Sequence, residues 1–100
     1  MTHHLEALSQ LFGTYLHQDW ADEFASDTEA VEAMMVSEPP EIIVAATNEL
    51  RQLLAAGLEE AELLIIMTDE AGCYFNPASK GQTYRTWLDE ILAQWEAKVR

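Results

Sequence analysis

Basic residues are missing from the first half of this chain, where residues 1 to 50 contain no Lys or Arg. The same half contains ten Asp or Glu and carries a formal charge of -10, while the second half has eight acidic and five basic residues and carries -3. The formal net charge is therefore -13. A charge of this sign repels nucleic acid and anionic membranes and attracts a basic macromolecule or a cation. The composition predicts a cationic partner, no nucleic-acid partner and no membrane partner.

Cysteine and long apolar runs are also scarce. Cys73 is the only cysteine, so the chain can form neither an internal disulfide nor a cysteine-based zinc site, and we interpret it as a small half-buried hydrophobic residue. The longest apolar runs, residues 42–46 and 63–67, are too short to cross a bilayer. The opening residues lack the basic end of a signal peptide. We therefore expect a cytoplasmic protein.

Hydrophobic residues make up 49% of the 100 residues, which is too many for a disordered acidic chain and suits one folded domain over residues 1–100. The apolar residues recur at intervals of three and four, as in amphipathic helices, and no stretch alternates in the way a strand does. The sequence therefore predicts an all-α fold, a compact bundle of about five helices.

Turn and capping residues predict where the helices begin and end. Ser26 and Glu29 form the pattern of a capping box at the start of the second helix, and Pro39 and Pro40 separate the second helix from the third. A Ser or Asp cap is expected just before the fourth helix, but Leu58 occupies that position. The remaining signals are Gly57 after the third helix, a fourth helix from about Glu59 to Ala71, Gly72 after it, a loop over residues 76–81, and Thr83 before the last helix.

The nine aromatic residues fall into two groups, one before residue 25 and the other after residue 73. Because large aromatic side chains favour one another in protein cores, we expect the first and last helices to pack together through them. Trp20 and Phe24 belong to an acidic stretch, which must therefore dock against the fold despite its charge. The two groups are Phe12, Tyr15, Trp20 and Phe24, then Tyr74, Phe75, Tyr84, Trp87 and Trp95.

Sequence motifs for catalysis are absent. The chain has no Gly-rich phosphate loop, no HExxH pair, no Gly-x-Ser-x-Gly elbow and no EF-hand spacing, so we assign no catalytic residues, no cofactor and no metal site. An alternative function remains open, that of an acidic divalent-cation-binding or regulatory protein. Its candidate ligands are His17, Asp19, Asp22 and Glu23, with His3 and His4 as further histidines.

The acidic stretch from Asp19 to Glu41 holds eight carboxylates and no Lys or Arg that would relieve their repulsion. Unrelieved repulsion of this kind indicates a partner that relieves it, so we predict a protein-binding surface here. A second acidic surface is possible on the fourth helix, at Glu59, Glu60 and Glu62. The predicted partner-binding residues are Asp22, Glu23, Asp27, Glu29 and Glu32.

Two motifs about sixty residues apart carry a resemblance to a known family. Residues 13–20 read Gly-Thr-Tyr-Leu-His-Gln-Asp-Trp and residues 81–88 read Gly-Gln-Thr-Tyr-Arg-Thr-Trp-Leu, with Glu-Pro-Pro at 38–40 between them. In this order the motifs resemble those of the small helical immunity proteins of bacterial contact-dependent growth inhibition systems. The likeness extends over nearly the whole chain.

The resemblance implies a function. Such proteins remain in the cytoplasm, are not enzymes, and bind one to one the toxic C-terminal domain, often a nuclease, that sister cells deliver. A nuclease holds phosphates on a cationic surface, which matches the partner that the charge predicts. The resemblance also implies that the motif residues determine the fold and do not contact the toxin. These residues are Tyr15, Gln18, Asp19, Trp20, Tyr84, Arg85 and Trp87.

Overall fold

A computed structural model describes residues 5–99, and within this range every regular element is helical. Five longer helical segments form the bundle that the sequence predicts, and a single extra turn, α2, joins the first two of them. The elements are α1 (Glu6–Tyr15), α2 (Trp20–Glu23), α3 (Asp27–Ser37), α4 (Pro40–Ala55), α5 (Glu60–Ile65), a π-helical turn (Ile66–Glu70) that continues α5, a 3-10 turn (Pro77–Lys80) and α6 (Tyr84–Val99).

Most of the predicted helix boundaries are confirmed. The Ser26 hydroxyl accepts a hydrogen bond from the Glu29 N–H at 3.1 Å, and the Thr83 hydroxyl accepts one from the Thr86 N–H at 3.1 Å. Gly57 follows α4 with φ of 69°, a conformation that favours glycine. Among residues 5–99, the Glu29 carboxylate makes no return bond to Ser26, so only half of the predicted capping box forms and Glu29 stays exposed.

The start of α5 differs from the expected pattern. Glu59 is the N-cap, and its carboxylate accepts from the backbone of Glu62, whose own carboxylate accepts from the Glu59 N–H at 3.2 Å. Two glutamates therefore form the reciprocal capping box that usually begins with Ser or Thr. The start of α5 is well defined although position 58 is not Ser or Asp, because the N-cap is the next residue, Glu59.

Aromatic packing between the first and last helices is confirmed. The Phe12 ring on α1 lies 5.9 Å from the Trp87 ring and 6.1 Å from the Trp95 ring, centroid to centroid, and both tryptophans belong to α6. Such separations suit favourable aromatic pairs. Helix α4 packs against both α1 and α6 and contributes aliphatic side chains to the same core. Its buried residues are Ile43, Ala46, Thr47, Leu50, Leu53 and Leu54.

The acidic stretch also docks against this core, as expected. Trp20 on α2 meets Phe75 edge to face at 5.4 Å, and Phe24 lies 6.2 Å from Tyr15. None of the helices in residues 5–99 has the length and apolar character needed to span a membrane.

Candidate functional site

Several carboxylates accept hydrogen bonds within the fold. They are therefore distinct from the acidic residues that are available to a partner. The Glu49 carboxylate on α4 accepts from the Ala7 and Leu8 N–H groups at 3.1 and 2.9 Å and so caps the start of α1. The Glu60 carboxylate accepts from the Tyr84 and Arg85 N–H groups at the start of α6. Negative groups at helix N-termini are stabilising. Backbone N–H groups, and not Lys or Arg, therefore satisfy the carboxylates of Glu49 and Glu60.

Asp27 is a structural residue and not a surface one. The residue is buried at 7% relative exposure, and its carboxylate accepts from the indole N–H of Trp87 at 2.8 Å and forms an ion pair with Lys80 at 3.2 Å. A partner cannot reach this carboxylate while these bonds hold. The structure thus separates Asp27 from the other four predicted binding residues.

The other four predicted residues are exposed. Glu23 is bonded to His17 across 2.8 Å, whereas Asp22, Glu29 and Glu32 have no hydrogen-bond or ion-pair partner for their side chains within residues 5–99. Glu29 and Glu32 are three residues apart on α3 and therefore lie on one face of that helix. Asp22, Glu29 and Glu32 are the carboxylates of this set most available to a cationic partner.

One segment, residues 73–80, supports both acidic helices. Its Phe75 packs against Trp20 of α2, and its Lys80 holds Asp27 at the first turn of α3. The Tyr74 N–H also donates to the Leu16 carbonyl at 2.8 Å, just before α2. These contacts place Asp22, Glu29 and Glu32 on elements that border the same segment, which we call the 73–80 segment.

The second acidic surface suggested by the sequence is largely used within the fold. Glu59 and Glu62 cap α5 reciprocally, and Glu60 caps α6. Reversing their charges would therefore remove caps as well as surface charge. Further along the same helical segment, Asp69 and Glu70 of the π-helical turn are exposed.

The alternative cation site does not assemble in the part of the chain that the structure describes. No group of three His, Cys, Asp or Glu side chains in residues 5–99 is arranged to hold a metal ion. The Nε2 atom of His17 lies 2.8 Å from Glu23, and its Nδ1 atom accepts from the Asp19 N–H at 3.0 Å. Both ring nitrogens of His17 are therefore occupied by neighbours in the chain. His3 and His4 lie outside the described residues.

An apolar surface also appears that the sequence reasoning missed. Leu64, Ile65 and Tyr74 are 45%, 54% and 60% exposed, and we call these three residues the Tyr74 patch. Its signal in the sequence is the run of five apolar residues from Leu63 to Met67, because an amphipathic helix cannot turn five consecutive side chains toward one core.

Burial raises the pKa values of three groups. Burial raises the pKa of the Cys73 thiol to about 12, so Cys73 stays protonated near neutral pH and is not a nucleophile. Cys73 is only 1% exposed, which makes it a fully buried hydrophobic residue and not the half-buried one expected. Burial is also the main cause that raises the pKa of Tyr15, followed by its bond to Glu38, and the main cause that raises the pKa of Tyr84.

Comparison with known proteins gives the family. The family model described as CdiI immunity protein matches residues 4–95, a range that includes both sequence motifs. The chain belongs to the CdiI immunity protein family. A chain in the crystal structure of a CdiA-CT/CdiI complex from Y. kristensenii 33638 is 27% identical and superposes with a TM-score of 0.83, covering 90% of this chain and 96% of that one. No match was found among curated proteins.

Most motif residues of this CdiI family member have structural roles. The Tyr15 hydroxyl donates to Glu38 at 2.8 Å, Tyr84 and Trp87 are buried, and the Arg85 guanidinium donates to the Leu54 carbonyl at 3.2 Å. These bonds connect α1 to the end of α3, and α6 to α4. Gln18 and Asp19 are exposed, and no side-chain hydrogen bond within residues 5–99 gives either one such a role.

Proposed function

We propose that this CdiI family member binds and neutralises the C-terminal toxin domain of its own contact-dependent growth inhibition effector. It acts in the cytoplasm of the producing cell as an inhibitor and not as an enzyme, and it binds the toxin one to one. The observation that carries the proposal is the family match over residues 4–95. The similarity to a chain of a CdiA-CT/CdiI complex supports it.

The charge of the chain supports a basic toxin, which we propose is a nuclease. The formal net charge of -13 is opposite in sign to the cationic surface on which a nuclease holds phosphates. Carboxylates can occupy that surface in place of phosphates. Opposite fields also raise association rates toward the order of 10⁸ to 10⁹ per molar per second at low salt, which favours capture of the toxin before it acts.

The contact surface that we propose includes the exposed carboxylates of α2 and α3. Asp22, Glu29 and Glu32 are exposed and have no side-chain partner in the described part of the chain, so their negative charge is available to the toxin. Glu23 can contribute after releasing His17. Asp27 contributes indirectly, because its bonds to Trp87 and Lys80 hold the start of α3 in place.

A co-expression experiment tests this function. We expect an open reading frame immediately upstream of this gene to end in a toxin domain, and expression of that domain alone to stop bacterial growth. Co-expression of this chain should restore growth, and the two purified proteins should form a one-to-one complex in calorimetry. An unrelated CdiI protein serves as the control and should not protect. Failure to protect and to bind would contradict the proposal.

The nuclease assignment has a separate test. The purified toxin domain should degrade RNA or DNA, and stoichiometric addition of this chain should stop the degradation. A toxin domain that binds this chain but leaves both nucleic acids intact would contradict the nuclease assignment and leave neutralisation standing.

A further inference from the structure

Two residues of the Tyr74 patch line a groove on the surface. Leu64 and Tyr74 line a groove of about 340 Å³, and the neighbouring Ile65 is more than half exposed. Thr68 and Asp69 supply polar atoms on the same groove. Exposed apolar side chains beside polar ones mark interaction sites in soluble proteins.

The backbone holds this patch in one shape. The π-helical turn places the Ala71 N–H on the Ile66 carbonyl at 2.9 Å, and the Cys73 N–H then donates to Met67 at 2.8 Å. The Tyr74 N–H donates to Leu16 at 2.8 Å, which anchors the far side of the groove. A π-helical turn is rare and occurs often at functional sites. A patch held by such bonds loses little conformational entropy on binding.

Charge identifies the partner that suits this groove. Asp69 lines the groove beside Leu64 and Tyr74, and Glu70 is exposed in the same π-helical turn. The residues that line this groove include no Lys or Arg. A second groove of about 340 Å³, between the end of α3, the start of α4 and the end of α6, is lined by both Glu38 and Lys98. The charges that line the second groove are therefore balanced, whereas the first groove has a carboxylate and no Lys or Arg in its lining and favours a basic partner.

The 73–80 segment connects the patch to the acidic helices. Tyr74 lies at one end of the 73–80 segment, and the same segment supports Trp20 of α2 and Asp27 of α3. Carboxylates therefore border the patch from the π-helical turn, and α2 and the start of α3 adjoin the same segment. A central apolar cluster with a charged rim is the usual anatomy of a specific protein interface.

We propose that Leu64, Ile65 and Tyr74 form the apolar centre of the toxin interface, with Asp69 and Glu70 at its rim. This inference rests on the proposed function and adds the surface through which it operates. Tyrosine is enriched among the few residues that contribute most of the binding energy at interfaces, because it buries a large ring at small entropic cost. The acidic rim speeds encounter with the basic toxin, and the apolar centre slows dissociation.

Alanine variants test the inference by surface plasmon resonance against the purified toxin domain encoded upstream. Tyr74→Ala should raise the dissociation constant about 30-fold or more, and Ile65→Ala should raise it about 5-fold or more, mainly through faster dissociation. Val36→Ala is the matched control, because Val36 is 81% exposed and lies on the second groove. It should leave the dissociation constant within about 2-fold of the unsubstituted chain. All three variants should keep the thermal stability of the unsubstituted protein, since each replaces an exposed side chain.

The outcomes separate this inference from the proposed function. If the unsubstituted chain binds the toxin and Tyr74→Ala binds equally well, the inference fails and the proposed function stands. Loss of affinity in Val36→Ala alone would move the apolar centre to the second groove and also overturn the inference. Sedimentation velocity tests a second copy of this chain as the occupant. Self-association that Tyr74→Ala abolishes while toxin affinity is unchanged would overturn the inference in the same way. If the unsubstituted chain binds no toxin, the proposed function fails first.

Discussion

The carboxylate of Asp27 accepts a hydrogen bond from the indole N–H of Trp87 at 2.8 Å, across 60 residues of sequence. The same carboxylate pairs with Lys80 at 3.2 Å. These bonds join the first turn of α3, the 3-10 turn and α6 at one buried point. A negative charge in the first turn of α3 also interacts favourably with the helix dipole. Asp27 therefore links three elements that carry or support the proposed toxin surface.

Removing this carboxylate should destabilise the protein. Asp27→Ala leaves the buried Trp87 N–H without its partner, and we expect the free energy of unfolding to fall by about 2 to 3 kcal/mol. Glu29→Ala, in the same turn of α3, is the control and should change it by less than about 0.5 kcal/mol because Glu29 is exposed. Urea denaturation followed by circular dichroism measures both. Equal midpoints for the two variants would show that the Asp27 bonds contribute nothing to stability.

Trp87 should be among the most sensitive core residues. It is 2% exposed, and its ring lies 5.0 Å from Phe75 and 5.9 Å from Phe12. We expect Trp87→Ala to destabilise by about 3 to 5 kcal/mol, as large-to-small core substitutions do. Trp87→Phe retains a ring but loses the N–H that donates to Asp27. Because Asp27→Ala already lacks this hydrogen bond, Trp87→Phe should lower the free energy of unfolding less in the Asp27→Ala protein than in the unsubstituted one. Additive effects in this double-mutant cycle would contradict the coupling, and unchanged thermal stability of Trp87→Ala would contradict its burial.

Charge reversal on α2 and α3 should weaken toxin binding without unfolding the protein. Changing Asp22, Glu29 and Glu32 together to Lys should slow association by about 10-fold or more at low salt and abolish protection, because attraction becomes repulsion. Helicity should be preserved, since all three side chains are exposed. Stopped-flow association at several salt concentrations measures the effect.

A matched set controls for total charge. Glu6, Asp89 and Glu90 are also exposed and lie outside the acidic stretch, and their reversal to Lys changes the net charge by the same amount. The control set should retain protection. Full affinity in the Asp22, Glu29 and Glu32 set would exclude α2 and α3 from the interface. Equal losses in both sets would show that net charge alone governs association.

Stability should fall in alkaline solution because of Cys73. Its thiol has a pKa of about 12 in the folded protein against an ordinary value of 9.0, and burial is the main cause. Below pH 9.0 the thiol is protonated in both the folded and the unfolded protein, so its protonation does not reduce the free energy of unfolding. Between pH 9.0 and about 12 the thiol ionises only in the unfolded protein, so the free energy of unfolding falls as the pH rises. The slope is about 1.4 kcal/mol per pH unit.

Urea denaturation of the unsubstituted chain and of Cys73→Ala across this range isolates the contribution of the thiol. The pKa values of Tyr15 and Tyr84 are raised in the same direction. Tyr15 contributes equally to both proteins and cancels in the difference, whereas the part of the Tyr84 shift that comes from the charge of Cys73 is removed together with the thiol. The difference between the two curves should change with pH only above about 9. Parallel curves throughout would show that the buried thiol does not titrate as its burial predicts.

Glycines should respond in opposite ways to alanine substitution. Gly72 and Gly57 both have φ of 69°, where a Cβ atom is strained, so Gly72→Ala and Gly57→Ala should each cost about 1 to 2 kcal/mol. Gly13 lies within α1, and a Cβ there would meet nothing closer than the Ala71 carbonyl at 3.9 Å. Gly13→Ala should therefore stabilise by about 0.5 to 1 kcal/mol. Thermal denaturation measures all three, and a destabilised Gly13→Ala would show that α1 needs the freedom of glycine.

Local signals made much of the fold predictable. Ser26 and Thr83 accept the capping bonds expected of them, and α4 begins at Pro40, because each of these outcomes depends on atoms within a few residues. The aromatic grouping placed Phe12 against α6 because large rings favour a common core, although Tyr74, one of the nine, lies outside it. The exposure of Leu64 and Ile65 could have been recognised from the apolar run Leu63 to Met67, whereas that of Tyr74 depends on the path of the chain after the π-helical turn.

The sequence by itself determined that the chain is helical, acidic and built on one aromatic core, because hydrophobic period and formal charge depend only on composition and order. Its family motifs carried the relation to CdiI proteins, which the match over residues 4–95 confirms. Only the tertiary structure decided which carboxylates are available. Asp27 and Glu60 look like Glu29 and Glu32 in the sequence, yet the first two bind groups 24 to 60 residues away and the others face solvent. The charge of a side chain follows from the residue type, whereas its availability to a partner depends on which groups the fold places next to it.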